Sequence, residues 1–126
     1  MDLAPNELLT QIRIPIEKRS FKEYYHLVGT RSAQAISKVC FAGKIIINQE
    51  SIEDIRLAWG SMAPAPTRTE RVENLLIGKK LSPSIIRDSL NELINELTPI
   101  SDVRSTDRYR MNVAQNLLKH FLEGAL

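Results

Sequence analysis

Ala63-Pro64-Ala65-Pro66-Thr67-Arg68-Thr69-Glu70 is the stretch on which the fold turns, because the hydrophobic period differs on its two sides. Two prolines within three residues remove two backbone donors and end any strand that reaches them. Upstream, Thr10-Gln11-Ile12-Arg13-Ile14-Pro15-Ile16 places Ile12, Ile14 and Ile16 on one side of a strand, with Pro15 marking an edge or a strand end. Phe21 to Val28 reads as a second, aromatic strand. Ile36 to Ile47 reads as a third, carrying Val39, Phe41 and Ile45-Ile46-Ile47, with Gly43 marking a turn or a bulge inside it. Asn48-Gln49-Glu50-Ser51 then turns the chain into a fourth strand, Ile55 to Met62. Sequential strands joined by short turns predict an antiparallel sheet.

Downstream of Pro66 the period is helical. Thr67 followed by Glu70 reads as a capping box, with Val72, Leu75 and Leu76 on one face and Gly78 as the stop. Ser82 and Pro83 supply an N-cap and a first-turn proline. Ile85, Ile86, Leu90, Leu93, Ile94 and Leu97 then keep to one stripe until Thr98-Pro99. From about Thr106, a third stripe of Val113, Ala114, Leu117, Leu118 and Phe121 runs to Gly124. The expected class is therefore α+β: three to four antiparallel strands followed by, and packed against, three helices.

Composition bounds function mainly by exclusion. A chain of 126 residues is about one domain, and 43% hydrophobic content suffices for one core. Lys and Arg number 17 against 15 Asp and Glu, spread along the chain, so the net charge of +2 supplies no basic stripe for nucleic acid. No apolar run approaches the roughly 20 residues of a membrane span. Asp2, Asn6 and Glu7 do not resemble a secretory signal, so no membrane partner and a cytoplasmic location are expected. The single cysteine, Cys40, lies in an apolar run and reads as a buried, inert thiol in a reducing compartment.

Catalytic parts are scarce. His26 and His120 have no carboxylate or second ligand at metal spacing, so both read as structural, and no catalytic or metal site is expected. Neither a Walker loop nor a Gly-x-Gly-x-x-Gly run is present, and glycine numbers only 5, so the chain looks like a module that completes a site shared with another unit. The segment that offers one is Gly29-Thr30-Arg31-Ser32-Ala33-Gln34-Ala35-Ile36-Ser37-Lys38. Glycine, hydroxyls, a fixed cation and an amide between two strands let backbone approach a ligand and present donors to it.

That segment, with Tyr24 to Val28 before it, resembles the Arg-x-Ala-Gln-Ala-Ile-Ser-Lys signature of flavoprotein subunits in bacterial xanthine dehydrogenases. Trp59 to Arg68 with Glu73 downstream, and Pro99 to Arg104 followed by Tyr109-Arg110, agree in order and spacing. Together these segments resemble the C-terminal domain of the FAD-binding subunit of molybdenum hydroxylases, the group that includes carbon monoxide dehydrogenase. The resemblance covers about residues 8–124. It implies residues 1–7 as a linker from a missing FAD-binding domain and residues 8–126 as the flavoprotein C-terminal domain. It also implies a small antiparallel sheet with three helices.

Further implications concern chemistry. In such enzymes electrons pass from a molybdenum cofactor through 2Fe-2S clusters to FAD and on to NAD or another acceptor, and this domain touches only the last step. FAD would be shared with the preceding domain of the same subunit, while the iron–sulfur and molybdenum centres belong to partner domains or subunits. The implied cofactor-contact residues are Gly29, Thr30, Arg31 and Gln34. Gly29 serves the turn and Thr30 caps it; Arg31 either stabilises negative charge on reduced flavin or pairs with a carboxylate of the missing domain. Gln34 either offers its amide to the ring edge or caps neighbouring backbone. One departure stands out, because the family often carries lysine four residues before this arginine and Leu27 occupies that place here. Leu27 keeps a second reading open, that of an interaction or dimerisation module without a flavin role. Exposed apolar surface left by a missing domain would favour self-association of the isolated chain.

The remaining matched residues read as architecture. Asp102, Arg104, Asp107, Arg108 and Arg110 are placed to form an ion-pair network at the start of the last helix. Arg68 either braces the same region or is solvated, and Trp59 is either core or an interface anchor.

Overall fold

The computed structural model describes residues 3–16, 18–31 and 35–125. Strands β1 (Lys22–Val28), β2 (Val39–Asn48), β3 (Ser51–Gly60) and β4 (Thr67–Arg68) form one antiparallel sheet in chain order. Helices α1 (Glu70–Leu76), α2 (Pro83–Glu96) and α3 (Asp107–Glu123) follow. The α+β class, strands first and helices second, is as the change of period at Pro64-Ala65-Pro66 predicts.

One sheet face builds the core. Val39, Phe41, Gly43 and Ile45 of β2 and Ile55, Leu57 and Trp59 of β3 alternate inward, while Ala42 and Arg56 between them are exposed. The helices cover that inner face with Val72, Leu76, Leu93, Leu118 and Phe121. Phe41 stacks on Trp59 with ring centroids 4.4 Å apart, and Trp59 is 1% exposed, which settles it as core. Such an aromatic pair contributes about 0.5–1.5 kcal/mol beyond its burial. Gly43 is neither turn nor bulge: a Cβ there would lie 2.9 Å from the Phe121 ring, so the missing side chain lets α3 settle on β2. The register shift falls instead between Ile46 and Ile47.

The helix ends follow local chemistry. Ser82 caps α2 by accepting the Ile85 N–H at 3.3 Å, with Pro83 in the first turn, and Thr106 caps α3 by accepting the Tyr109 N–H at 3.2 Å. Gly78, at φ +76°, ends α1 in the left-handed region and donates its N–H to Ile52 O at 2.8 Å.

Four expectations are corrected. Residues 10–16 form no strand; Ile12, Ile14 and Ile16 are 73%, 82% and 93% exposed and pair with no strand among the described residues. Alternation identifies a strand only where a neighbouring edge accepts it, and here β1 pairs with β2 alone. The expected capping box at Thr67 is also displaced. Thr67 and Arg68 pair with Trp59 and Ala58 as β4, and Thr69 takes the N-cap position without a side-chain cap. The Thr69 hydroxyl accepts the Trp59 Nε1–H at 3.1 Å instead, so tertiary packing outcompetes the local cap. Third, Cys40 is half-buried on the outer face, with its thiol donating to Tyr25 Oη at 3.3 Å. Finally, Arg68 does not brace the start of α3: its side chain stays 46% exposed while its guanidinium pairs with Glu73 of α1.

Arg68 belongs to a buried carboxylate site. The Glu73 side chain is 3% exposed and accepts from Leu57 N–H at 2.8 Å, from Arg68 Nε at 3.3 Å and from Arg68 Nη2 at 2.5 Å. Leu57 lies just beyond the reach of the two-residue β4, and its N–H would otherwise be a buried donor without a partner. Leaving such a group unpaired costs about 1–3 kcal/mol.

The β2–β3 hairpin closes at the Asn48↔Ser51 pair, with Gln49 at φ +48° and Glu50 at φ +66°. Positive φ at both central residues is the hairpin geometry that favours Asn-Gly. Replacing Gln49→Asn together with Glu50→Gly is expected to stabilise the fold by about 1 kcal/mol, the cost of holding an L side chain left-handed. Glu50 also pairs with Lys80 at 2.5 Å, but both side chains are exposed and that loss is small. Urea unfolding checks this through a higher midpoint at unchanged slope.

Candidate functional site

The segment between β1 and β2 is closed at its base by backbone and by packing. Lys38 N–H donates to Val28 O at 2.7 Å, and Val28 pairs with Val39. Gly29 sits at the neck, where an added Cβ would lie 2.5 Å from Ala35 Cβ. The glycine is thus required by the close approach of the two limbs of the loop. Ser37 Oγ meets Ser61 Oγ at 2.6 Å, fixing the returning limb to the end of β3. Ser61 itself is held at φ +62°.

A second wall comes from the loop between α2 and α3. Asp102 Oδ1 accepts the N–H groups of Arg104 and Ser105 at 2.9 and 3.0 Å, and Asp102 N–H donates to Ser105 O at 3.0 Å, making a tight turn with Val103 wholly exposed at its tip. The turn is tied to α3 by Arg110. This guanidinium is 2% exposed; its Nη2 lies 2.7 Å from Asp102 Oδ2 and its Nη1 donates to Ser61 O. Nε has no hydrogen-bond partner among the described residues, and the ion-pair contact at Nη2 is short but off hydrogen-bond direction. The hydrogen bond from the Arg104 backbone and the close guanidinium of Arg110 hold the Asp102 carboxyl below the usual carboxylate range.

Between the walls lies an open groove of about 450 Å³, lined by Thr30, Arg31, Ile36, Lys38, Val103 and Arg104 together with Ala35. Lys38 Nζ stands 5.2 Å from the centroid of the Tyr109 ring. Of the residues anticipated for cofactor contact, Gly29 forms the neck while Thr30 and Arg31 line the groove. Gln34 lies outside the described residues. Leu27 points away, to the outer sheet face beside Cys40, and is 42% exposed.

The anticipated network of five charged residues reduces to the Asp102–Arg110 pair, since Arg104, Asp107 and Arg108 form no ion pair among the described residues. Arg104 instead faces the groove. Lys38, Val103 and the Ser37–Ser61 contact were not anticipated as parts of the site. Lys38 carried a signal, a cation at the end of the recognised segment; Ser61 carried none, because its role depends on a contact across the chain. His26 and His120 flank Tyr24, His26 stacked at 6.0 Å and His120 edge-on at 5.5 Å, in keeping with structural roles. Among the described residues no cluster of metal ligands occurs and no helix is long and apolar enough to cross a membrane.

Comparison with known proteins agrees with this architecture. The family model described as the CO dehydrogenase flavoprotein C-terminal domain matches residues 23–125. The glyceraldehyde dehydrogenase medium chain of Sulfolobus acidocaldarius is 36% identical over 126 residues, spanning 98% of this chain and 44% of the relative. The putative xanthine dehydrogenase FAD-binding subunit of Escherichia coli is 21% identical over 127 residues, spanning 100% of this chain and 44% of the relative. Among solved structures, a carbon monoxide dehydrogenase from Hydrogenophaga pseudoflava shares the fold, with a TM-score of 0.76 at 20% identity over 85% of this chain and 37% of that one. The chain thus spans less than half the length of the curated relatives it matches.

Two outcomes test this geometry. Gly29→Ala is expected to force the neck apart and accelerate exchange of the Lys38 amide, read by hydrogen exchange, while core amides of β2 stay protected. Asp102 is expected to govern part of the acid limb of stability. Because its folded-state pKa is lowered, its contribution is complete above the unfolded carboxylate pKa and is lost as pH falls through the folded value. Asp102→Asn should therefore flatten the fall of the urea midpoint as pH drops below the unfolded carboxylate range.

Proposed function

Because this chain belongs to the family of CO dehydrogenase flavoprotein C-terminal domains, we propose that it forms one wall of the flavin site in a xanthine dehydrogenase-type molybdenum hydroxylase. FAD is shared with an FAD-binding domain of the same subunit, to which residues 1–7 act as the linker and against which residues 8–126 pack. Its relatives are oxidoreductase subunits, and the name of the E. coli relative includes FAD binding. The molybdenum cofactor and 2Fe-2S clusters lie on partner domains or subunits, and NAD is the favoured terminal acceptor. FAD, when bound, supplies the redox chemistry that links the iron–sulfur clusters to that acceptor.

The observation that carries this reading is the braced pair of loop limbs, residues 29–31 and 35–38, whose narrow neck holds Thr30 and Arg31 in the wall of an open groove. These residues fit a cofactor edge: Thr30 has a hydroxyl donor and Arg31 a permanent planar cation suited to ring oxygens or developing negative charge. Gly29 and the Lys38–Val28 bond hold the segment at its base, so its donors are positioned before a ligand arrives. The resemblance implies a cofactor contact for Gln34 as well. One observation favours the second reading, a self-associating or partner-binding module: Leu27 is turned to the open sheet face, away from the groove.

The test joins this chain to an FAD-binding domain from a relative and compares the parent with Arg31→Ala. Loss of a charge-assisted hydrogen bond is expected to lower FAD affinity or the rate of NAD reduction about tenfold or more. Unchanged flavin occupancy together with an unchanged rate would remove Arg31 from the site, and a fusion that holds no flavin at all would favour the interaction module.

A further inference from the structure

We propose that the groove between residues 29–31 and 35–38 on one side and the 102–105 turn on the other binds the phosphate group of a dinucleotide, with Arg104 as a binding residue beside Arg31 and Lys38. This rests on the reading of the chain as part of a flavin site and adds to it a ligand subsite and a residue. Among the described residues Arg31, Lys38 and Arg104 line the groove and no carboxylate does. Asp102, the adjacent acid, is engaged elsewhere: one oxygen accepts the Arg104 and Ser105 N–H groups, and the other lies 2.7 Å from buried Arg110. Its negative charge is thereby committed to holding the turn and to neutralising Arg110.

The Arg104 side chain forms no ion pair among the described residues, although its backbone is fixed by Asp102. A cation on a rigid turn, facing two others across a groove, concentrates positive potential where a multiply charged anion gains most. A guanidinium also matches phosphate oxygens with paired donors, and Thr30 adds a hydroxyl. Ile36, 61% exposed, and Val103, wholly exposed, supply apolar surface beside the cations, as the sugar or base attached to a phosphate requires. Arg110 is a positioning residue here. It contacts Asp102 under one wall and Ser61 O, whose side chain holds Ser37 in the other, so both walls are referred to one buried guanidinium.

The test follows backbone amide resonances of the 126-residue chain, its folding verified by dispersed core signals, while sodium pyrophosphate is titrated at constant ionic strength. Saturable shifts at Thr30, Arg31, Arg104 and Ser105 are expected, with affinity about tenfold weaker in Arg104→Ala, partly restored in Arg104→Lys and unchanged in Arg87→Ala on exposed α2. Shifts that do not saturate, shifts that sodium chloride reproduces, or an affinity unchanged in Arg104→Ala overturn the proposal. In the fusion carrying FAD, retained pyrophosphate binding assigns the subsite to the acceptor dinucleotide, and its exclusion assigns the subsite to FAD itself. Failure of the fusion to hold flavin would sink the proposed function while leaving the anion result intact, so the two fail separately.

Discussion

The buried guanidinium of Arg110 is the constraint on which the groove end of the molecule depends. It projects from the first turns of α3, which is anchored to the sheet by Phe121 over Gly43, and touches the ends of two elements that no sheet or helix pairing joins. Toward β3 it donates to the carbonyl of Ser61; toward the α2–α3 connection it pairs with Asp102. A charge this deep is costly unless compensated, and breaking such a pair leaves an uncompensated ion inside the fold. That asymmetry makes it a specifying device: the arrangement of turn, strand end and helix that satisfies Arg110 is favoured over looser ones.

A second buried charge performs the corresponding task at the other edge of β3. The strand has a ten-residue partner on one side and a two-residue partner on the other. Glu73 supplies the acceptor that a longer β4 would have supplied to Leu57 N–H, and Arg68 balances its charge. Trp59 donates across the same junction to Thr69. Side chains of α1 thus complete the sheet where its backbone stops, and β3 is held rigid up to the point where Ser61 leaves it. The path from α1 to the groove is continuous: Glu73 to β3, β3 to Ser61, Ser61 to Ser37 and the segment that carries Thr30 and Arg31.

Legibility in the sequence followed the range of the interaction. The α2 cap at Ser82-Pro83, the α3 cap at Thr106 and the left-handed stop at Gly78 were readable because each depends on residues a few positions apart. Thr67 misled for the opposite reason: a valid local cap pattern lost to strand pairing with Trp59, a partner distant in the chain. Ile12, Ile14 and Ile16 misled in a related way, since alternation alone does not pair a segment, and residues 10–16 join no strand although β1 is an edge strand of the sheet. In the site, Thr30 and Arg31 were visible as a polar segment between strands, whereas Arg104 was read as architecture because its neighbour Asp102 is architectural.

By itself the amino-acid sequence determined the class of fold, the order of its elements and the segment that carries the candidate contacts. Periodicity, prolines and caps are written in neighbouring residues and are independent of how the chain closes. Only the tertiary structure decided that Gly29 serves a neck against Ala35, that Gly43 is a seat for Phe121, and that Arg104 faces the same groove as Arg31 and Lys38. Those assignments depend on distances between residues far apart in sequence. Such distances arise when the helices pack on the sheet and Arg110 finds both Ser61 and Asp102.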